Sequence, residues 1–430
     1  SGIFQTAAGV ILNATLTLNG TAQINAGGFF NQSPIYGSSS LLKYNTGATY
    51  GRGAEWTVGS GTIGTTAGYP NDVQVSNNTT LNVPNTGSGS FNTAMGMARD
   101  LTIDAGSALY MDFGGNNNKS GSLTVRRNVV INGSLSLGNA IGGDMNVAGN
   151  WTNAGTFIHN TRLVTFNGSS AQTLTGNTTF DYLTLNNSTG LTLQAASAVT
   201  VNQTLALTSG KLTLGANNLT IGSTGSITAS ATNYIVTNGT GALVRNAVGN
   251  SATAFPIGNS ASFYTPLTIT NTGTVNNMAV SSSASITNAV YDATKIVTLQ
   301  WTVTPGGAGS VADITYNWNA GNQGGSYNAT GTGELGVYTT GPTYAITAIG
   351  AMSGQSKSVT GVTLANSSNL MVLGNTGAVY TAPPANDLCA NAINLTINAA
   401  AVSGTLAGAT VTTNTFVYGT DKKDVWYTFT

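Results

Sequence analysis

A triplet in which two apolar residues flank one residue, usually polar, recurs between positions 181 and 227, and its spacing constrains the fold more than any other feature. Side chains alternate between the two faces of a strand, so each triplet is a short strand with two apolar residues on one face. Equivalent residues in every third triplet lie 20 to 22 positions apart: Leu183, Leu205 and Ile227; Leu191 and Leu212; Val199 and Leu219. This return to the same side predicts a β-solenoid with three strands per coil.

The pattern extends less regularly over residues 1–246, which predicts an all-β chain that begins with a three-faced parallel β-solenoid (β-helix) stalk. The stalk has roughly 11 coils and is about 50 Å long at the ordinary strand spacing. Longer alternating strands in residues 247–382 predict an antiparallel β-sandwich domain. Residues 383–430 are too few for an independent sandwich, and we interpret them as an incomplete β-sandwich module of a chain that continues further. Three aromatic residues are expected to fill the core of the complete sandwich: Trp301, Tyr316 and Trp318.

Composition excludes several classes of partner. Charged residues make up 6% of the chain, with 13 basic and 13 acidic side chains and no net charge. An ordinary soluble domain has about 25% charged residues. The chain therefore has no electrostatic footprint for a nucleic acid. No apolar run reaches the roughly 18 residues of a membrane-spanning helix, so we expect no membrane insertion.

Several short phrases resemble the large repetitive surface proteins of Bacteroidetes. They are Gly142 to Trp151, Val164 to Gly168, Ala171 to Leu174, Tyr182 to Asn187, Tyr234 to Gly239, Leu243 to Asn246, Tyr264 to Pro266, and Pro383 to Cys389 with Asp424 to Tyr427. The resemblance implies an extracellular or cell-surface location and export by the type IX secretion machinery. It further implies an adhesin, a gliding-associated protein or a filament component, and it supplies no catalytic residue. In the incomplete module it implies that Cys389 pairs with a cysteine further along the chain.

Solenoids also host polysaccharide lyases and hydrolases, so a carbohydrate-active protein is the alternative to a non-catalytic one. Such enzymes need paired carboxylates. Asp100 and Asp144 are candidates, since they could share a face two coils apart, but a turn aspartate that caps backbone amides explains each equally well. His159 is the single histidine and is interpreted as a polar side chain on a strand edge. We predict no catalytic residue and no cofactor, with an isolated Ca²⁺ ion as the one metal left open.

Exposed aromatic residues are the strongest lead to a ligand, because tyrosine and tryptophan faces pack against sugar rings while their polar edges stay hydrated. Five lie in a segment where the triplet pattern is poor and loops are expected to project: Tyr36, Tyr44, Tyr50, Trp56 and Tyr69. One hypothesis is glycan contact, and the other is that these residues cap the open end of the solenoid. The function predicted from the sequence is therefore a secreted structural or adhesive protein that binds glycans or self-associates into filaments.

Overall fold

The structure is a computed structural model that describes residues 2–11, 14–84, 92–113, 120–340, 344–380, 391–395 and 425–429. Nearly all of the regular structure is β, and the N-terminal part of about 260 residues winds into a β-solenoid of about 11 turns. Antiparallel sheets follow it. The predicted all-β class and the order of solenoid and sandwich are confirmed.

The first face of the solenoid is a 12-stranded parallel sheet that extends along the whole stalk. Each strand pairs with the strand one coil further on. Its strands are Ile3–Thr6, Thr21–Ile24, Leu41–Tyr44, Asp72–Val75, Leu101–Ile103, Val129–Ile131, Trp151–Asn153, Gln172–Thr175, Leu191–Leu193, Leu212–Thr213, Ile235–Val236 and Ile257–Gly258.

The second and third faces are separate parallel sheets in the middle of the stalk and merge further on. The second face has strands Thr49–Gly51, Thr80–Asn82, Ala108–Tyr110, Ser134–Ser136 and Thr156–Ile158. The third has strands Met95–Met97, Leu123–Val125, Met145–Val147 and Leu163–Phe166. Strands Thr178–Asn186 and Val199–Ser209 are long enough to run through both faces, and Leu219–Ile221, Ser226–Thr228 and Leu243–Val248 complete this merged sheet.

The register that the sequence predicts is the register of the structure. Leu183 pairs with Leu205, and Leu205 pairs with Ile227. The same is true of Leu191 with Leu212, and of Val199 with Leu219. Identical inward positions therefore stack one coil above the next, which builds continuous apolar ladders along the axis.

Coil length varies most toward the N-terminus. Leu41 pairs with Asp72, 31 positions later, whereas Leu191 and Leu212 are 21 positions apart. The irregular coil predicted for the aromatic-rich segment is thus present. Two further pairs of short parallel strands lie beside the first coils: Gly9–Val10 with Phe29–Phe30, and Thr17–Leu18 with Ile35–Tyr36.

The antiparallel part consists of two sheets that pack face to face. One sheet has strands Thr253–Phe255, Leu267–Asn271, Ser310–Asn317 and Ser356–Leu364. The other contains Asn276–Ser283, Gln300–Pro305, Asn369–Asn375, Thr332–Tyr338 and Ala345–Ala351. Two 3₁₀ turns, Ala293–Lys295 and Ala320–Asn322, lie in the connections. The three predicted core aromatics are buried: Trp301, Tyr316 and Trp318.

The solenoid and the sandwich share one sheet. Strand Leu243–Val248 pairs in parallel with the preceding coil and antiparallel with Asn276–Ser283 of the sandwich. The last first-face strand, Ile257–Gly258, is covered by the next segment, because the Thr265 backbone N–H donates to the Ile257 carbonyl at 2.9 Å. The hydrophobic core also continues from the stalk into the sandwich. The predicted boundary at residue 246 therefore lies inside a strand that both parts use, and the three-part division of the chain stays a prediction.

Few residues of the C-terminal module predicted for 383–430 lie within the described part of the chain. Strand Ile393–Leu395 pairs in parallel with Tyr427–Phe429. Cys389 and its predicted pairing lie outside the described residues.

Truncating one step of an apolar ladder tests the solenoid core. Leu183 is buried, and its strand neighbour Thr184 is partly exposed on the outer side. We expect Leu183→Ala to lower the free energy of unfolding by about 2–5 kcal/mol, because the coils above and below limit collapse into the cavity. Thr184→Ala is the matched control and should cost less than about 1 kcal/mol. Urea unfolding followed by far-UV circular dichroism measures both, and equal losses would contradict the ladder.

Candidate functional site

The aromatic residues predicted to project from loops lie in the core instead. Tyr36, Tyr44, Trp56 and Tyr69 are all buried, and only Tyr50 is partly exposed. The coil from Leu41 to Asp72 is longer than the 21-residue coils, and Tyr44 and Trp56 pack in its hydrophobic core. The prediction of exposed aromatics is wrong for the four buried residues, and a ring without an exposed face offers no surface on which a sugar stacks.

Three of these tyrosines, Tyr36, Tyr44 and Tyr50, lie around a buried glutamate, Glu55, which we did not single out from the sequence as a site residue. The Tyr44 hydroxyl donates to Glu55 Oε1 at 3.1 Å, and the Gly53 backbone N–H donates to the same oxygen at 2.8 Å. The Tyr36 hydroxyl donates to the Glu55 carbonyl at 2.8 Å. Glu55 Oε2 and the Tyr50 hydroxyl are buried without a well-aligned hydrogen bond in the described part of the chain, and burial together with the nearby Glu55 carboxylate raises the pKa of Tyr50.

Burial raises the pKa of the Glu55 carboxyl, because removing water disfavours the charged form. The hydrogen bonds from Gly53 and Tyr44 and the Arg52 guanidinium oppose that shift and do not cancel it. Arg52 is held in place by its own bonds, with Nε donating to the Val83 carbonyl at 2.9 Å. The cluster is enclosed by the coil, and its chemistry is that of a buried acid whose environment favours the neutral form.

The aspartates considered for catalysis cap the backbone of the next coil. Asp100 Oδ1 accepts from the Asn128 backbone N–H at 2.9 Å, and the Asp100 N–H donates to Asp72 Oδ1 at 3.0 Å. The ladder continues to Asn150, whose backbone N–H donates to Asn128 Oδ1 at 2.9 Å. Asp72 is the first residue of a first-face strand, and Asp100, Asn128 and Asn150 each immediately precede one. They form a side-chain ladder of Asp and Asn that links successive coils, as expected for stacked strands.

Asp144 has the same role on a different face. Its Oδ1 accepts from the Leu163 backbone N–H at 3.0 Å, where a third-face strand begins. Asp100 precedes a first-face strand, so the prediction that Asp100 and Asp144 could share a face is wrong. The structure does not bring these two carboxylates to one side of the stalk.

His159 lies next to an acidic residue. Its Nδ1 is 3.2 Å from Asp181 Oδ2, and Asp181 Oδ1 also accepts from the Asn202 side-chain amide at 2.9 Å. Asp181 is buried, so His159 covers a carboxylate that Asn202 already binds. Among the described residues, no group of three or more His, Cys, Asp and Glu side chains is placed to hold a metal ion.

The described surface has a different concave site where the last coil meets the sandwich. We call it the junction cleft; it is a shallow depression of about 520 Å³, open to solvent, and is lined by Tyr264, Pro266, Asn317, Trp318, Asn319, Gln355 and Ser356. Antiparallel pairing assembles it from three distant segments, because Leu267 pairs with Tyr316 and Asn317 pairs with Ser356. The ends of three neighbouring strands therefore meet at one edge of the four-stranded sheet.

Aromatic contacts hold one wall of the junction cleft. The Tyr264 ring lies 5.1 Å from the Tyr234 ring, centroid to centroid, and Tyr234 belongs to the last coil. The Tyr234 hydroxyl donates to the Ser260 carbonyl at 2.9 Å, and Lys211 Nζ lies 5.2 Å from the centre of its ring. Tyr264 is thus a half-buried ring supported from behind by the solenoid.

Comparison of the chain with models of known protein families, with curated proteins and with solved structures finds no match in any of the three. Within the described residues, no helix has the length and hydrophobicity needed to cross a lipid bilayer. The resemblance to Bacteroidetes surface proteins, the extracellular location and type IX export stay predictions.

The raised pKa of Glu55 predicts a pH-dependent contribution to stability. A carboxyl whose pKa is higher in the folded chain stabilises the fold below its unfolded pKa, and this contribution is lost as pH rises through the folded pKa. We expect Glu55→Gln, which mimics the neutral acid, to remove this dependence. Above the folded pKa the variant should be more stable than the wild type by about 1.4 kcal/mol for each unit of the shift.

Urea unfolding of both proteins from pH 4 upward measures this difference, since the other titrating groups are common to the two. A constant difference in unfolding free energy across that range would show that Glu55 keeps its ordinary pKa.

Proposed function

We propose that this chain is a non-catalytic structural and adhesive protein of the cell exterior, with the solenoid as a stalk that presents the sandwich. The observation that carries the proposal is the shared sheet. Backbone pairing passes from coil to coil and then, through Leu243–Val248, into the sandwich. The hydrogen-bonded sheet is therefore continuous between the solenoid and the sandwich, with no hinge at this strand. A continuous sheet suits a protein that bears load between two surfaces.

The use of the carboxylates supports the same proposal. Asp72, Asp100 and Asp144 each accept a backbone N–H of the next coil. Removing such an acceptor leaves a donor without its partner, so these residues have a structural reason to be present. The half-exposed pairs of Arg99 with Asp72 and Arg127 with Asp100, at 3.7 and 3.8 Å, add little stability by comparison.

The partners we propose are glycans of a cell or matrix surface, and the type IX secretion machinery during export. Filament growth by stacking one solenoid directly on the C-terminal end of another is not favoured, because the sandwich occupies that end. Self-association would have to use another edge, such as strand Ala345–Ala351, which ends its sheet among the described strands.

A combined adhesion and activity experiment tests the proposal. Beads coated with the chain should adhere to polysaccharide-coated surfaces, while reducing-end and unsaturated-product assays on the same polysaccharides should show no turnover. Asp100→Asn and Asp144→Asn should leave adhesion unchanged. Product formation that disappears in either variant would establish a carbohydrate-active enzyme instead, and failure of the beads to adhere would argue against the adhesive part.

A further inference from the structure

We propose that the junction cleft binds a neutral oligosaccharide. The inference rests on one juxtaposition: the half-buried ring of Tyr264 lines the same cleft as the amide side chains of Asn317, Asn319 and Gln355. This inference deepens the proposed adhesive function and rests on it for its biological meaning. The site differs from the aromatic segment that the sequence singled out, because it is open to solvent.

The absence of charge in the lining selects the class of ligand. None of the seven residues that line the junction cleft is charged. A charged ligand would lose hydration there without gaining a counter-charge, which is unfavourable. Amide and hydroxyl groups instead exchange hydrogen bonds with neutral hydroxyls, so the lining favours uncharged polyols over uronic acids or sulfated sugars.

The aromatic wall separates a sugar from other neutral polar ligands. A sugar ring has an apolar C–H face and a polar rim, which match the face of a tyrosine ring and its surrounding amides. Tyr264 is half-buried, and its ring packs against that of Tyr234 at an angle of 41°. The volume of about 520 Å³ lies in the usual range for sites that hold a small ligand.

Unpaired polar atoms in the wall point to hydrogen bonds that a ligand could complete. The Trp318 indole N–H and Asn319 Oδ1 have no hydrogen-bond partner in the described residues. In the adjoining segment, Asn322 Oδ1 and the Tyr327 hydroxyl are also unpaired. A sugar hydroxyl can donate to Asn319 Oδ1, whereas the Trp318 indole is packed against Trp301 and Tyr327 in the core.

These wall atoms are covered in the free protein, so contact with a ligand requires a side-chain rotation at the wall. Such rotations commonly accompany binding. Asn319 is only half-buried and has the freedom to turn. Most polar groups inside folded proteins are paired, which makes four unpaired ones within ten residues a specific feature of this segment.

The experiment measures binding of the full chain to defined oligosaccharides by calorimetry. The neutral probes are cello-, xylo-, manno-, laminari- and chito-oligosaccharides, and the charged probes are oligogalacturonate and heparin-derived oligosaccharides. We expect at least one neutral probe to bind, with an affinity that added NaCl barely changes. Binding to charged probes alone, or to no probe, would overturn the inference.

Two variants locate the site. Tyr264→Ala removes the ring and Gln355→Ala removes an exposed amide, and each should weaken binding at least about tenfold. The matched controls are Tyr182→Ala and Gln203→Ala, which remove an exposed tyrosine and an exposed glutamine of the solenoid and should leave affinity unchanged. Wild-type affinity in both cleft variants would place the sugar elsewhere and overturn the inference.

Thermal melting of each variant shows whether it is folded, and Gln355→Ala keeps the test valid if loss of Tyr264 disturbs packing against Tyr234.

The outcome also separates this inference from the proposed function. If both cleft variants still adhere, the junction cleft is excluded as the glycan-binding site, while the proposed adhesive role is unaffected. If the wild type degrades a polysaccharide, the proposed non-catalytic function is contradicted, whatever the junction cleft binds.

Discussion

In-register stacking of coils is the constraint on which the rest of the structure depends. Each strand pairs in parallel with its equivalent one coil on, so every inward side chain meets the same position above and below. Burying these ladders yields about 25 cal/mol for each square ångström of apolar surface removed from water. The Asp and Asn side chains that cap the next coil hold the same register at the turns. The buried apolar ladders and the Asp and Asn caps therefore stabilise the same register between neighbouring coils.

The regular part of the solenoid was predictable because its coils are nearly equal in length. Leu183, Leu205 and Ile227 recur at 22-residue intervals, and a fixed interval identifies stacked positions without any other information. The core residues Trp301 and Tyr316 were predictable for a similar reason, since alternation along a long strand assigns them to one face. Residue spacing and alternation are therefore enough to predict core positions where the strands are regular.

The aromatic segment was not predictable, because its coil is 31 residues long and the period is lost. Composition does not distinguish a ring that packs in the core of a long coil from a ring that projects from a loop. Glu55 was missed because a single glutamate in an irregular stretch has no pattern, and only the fold shows that tyrosines surround it. The junction cleft was missed since Tyr264, Trp318 and Gln355 become neighbours only through antiparallel pairing. Sequence gives no sign that Trp318 lacks a partner for its indole N–H.

The orientation of the strands has a mechanical consequence. In a solenoid the strands run across the long axis, so their hydrogen bonds lie along it, and tension on the two ends loads one coil boundary at a time. The coils would open in sequence like a zipper, and each would release a short length of chain before the next yields. Because the sheet passes into the sandwich without a break, the pulling force reaches the stalk directly. A solenoid under tension would therefore dissipate a sudden pull in small steps instead of failing at once.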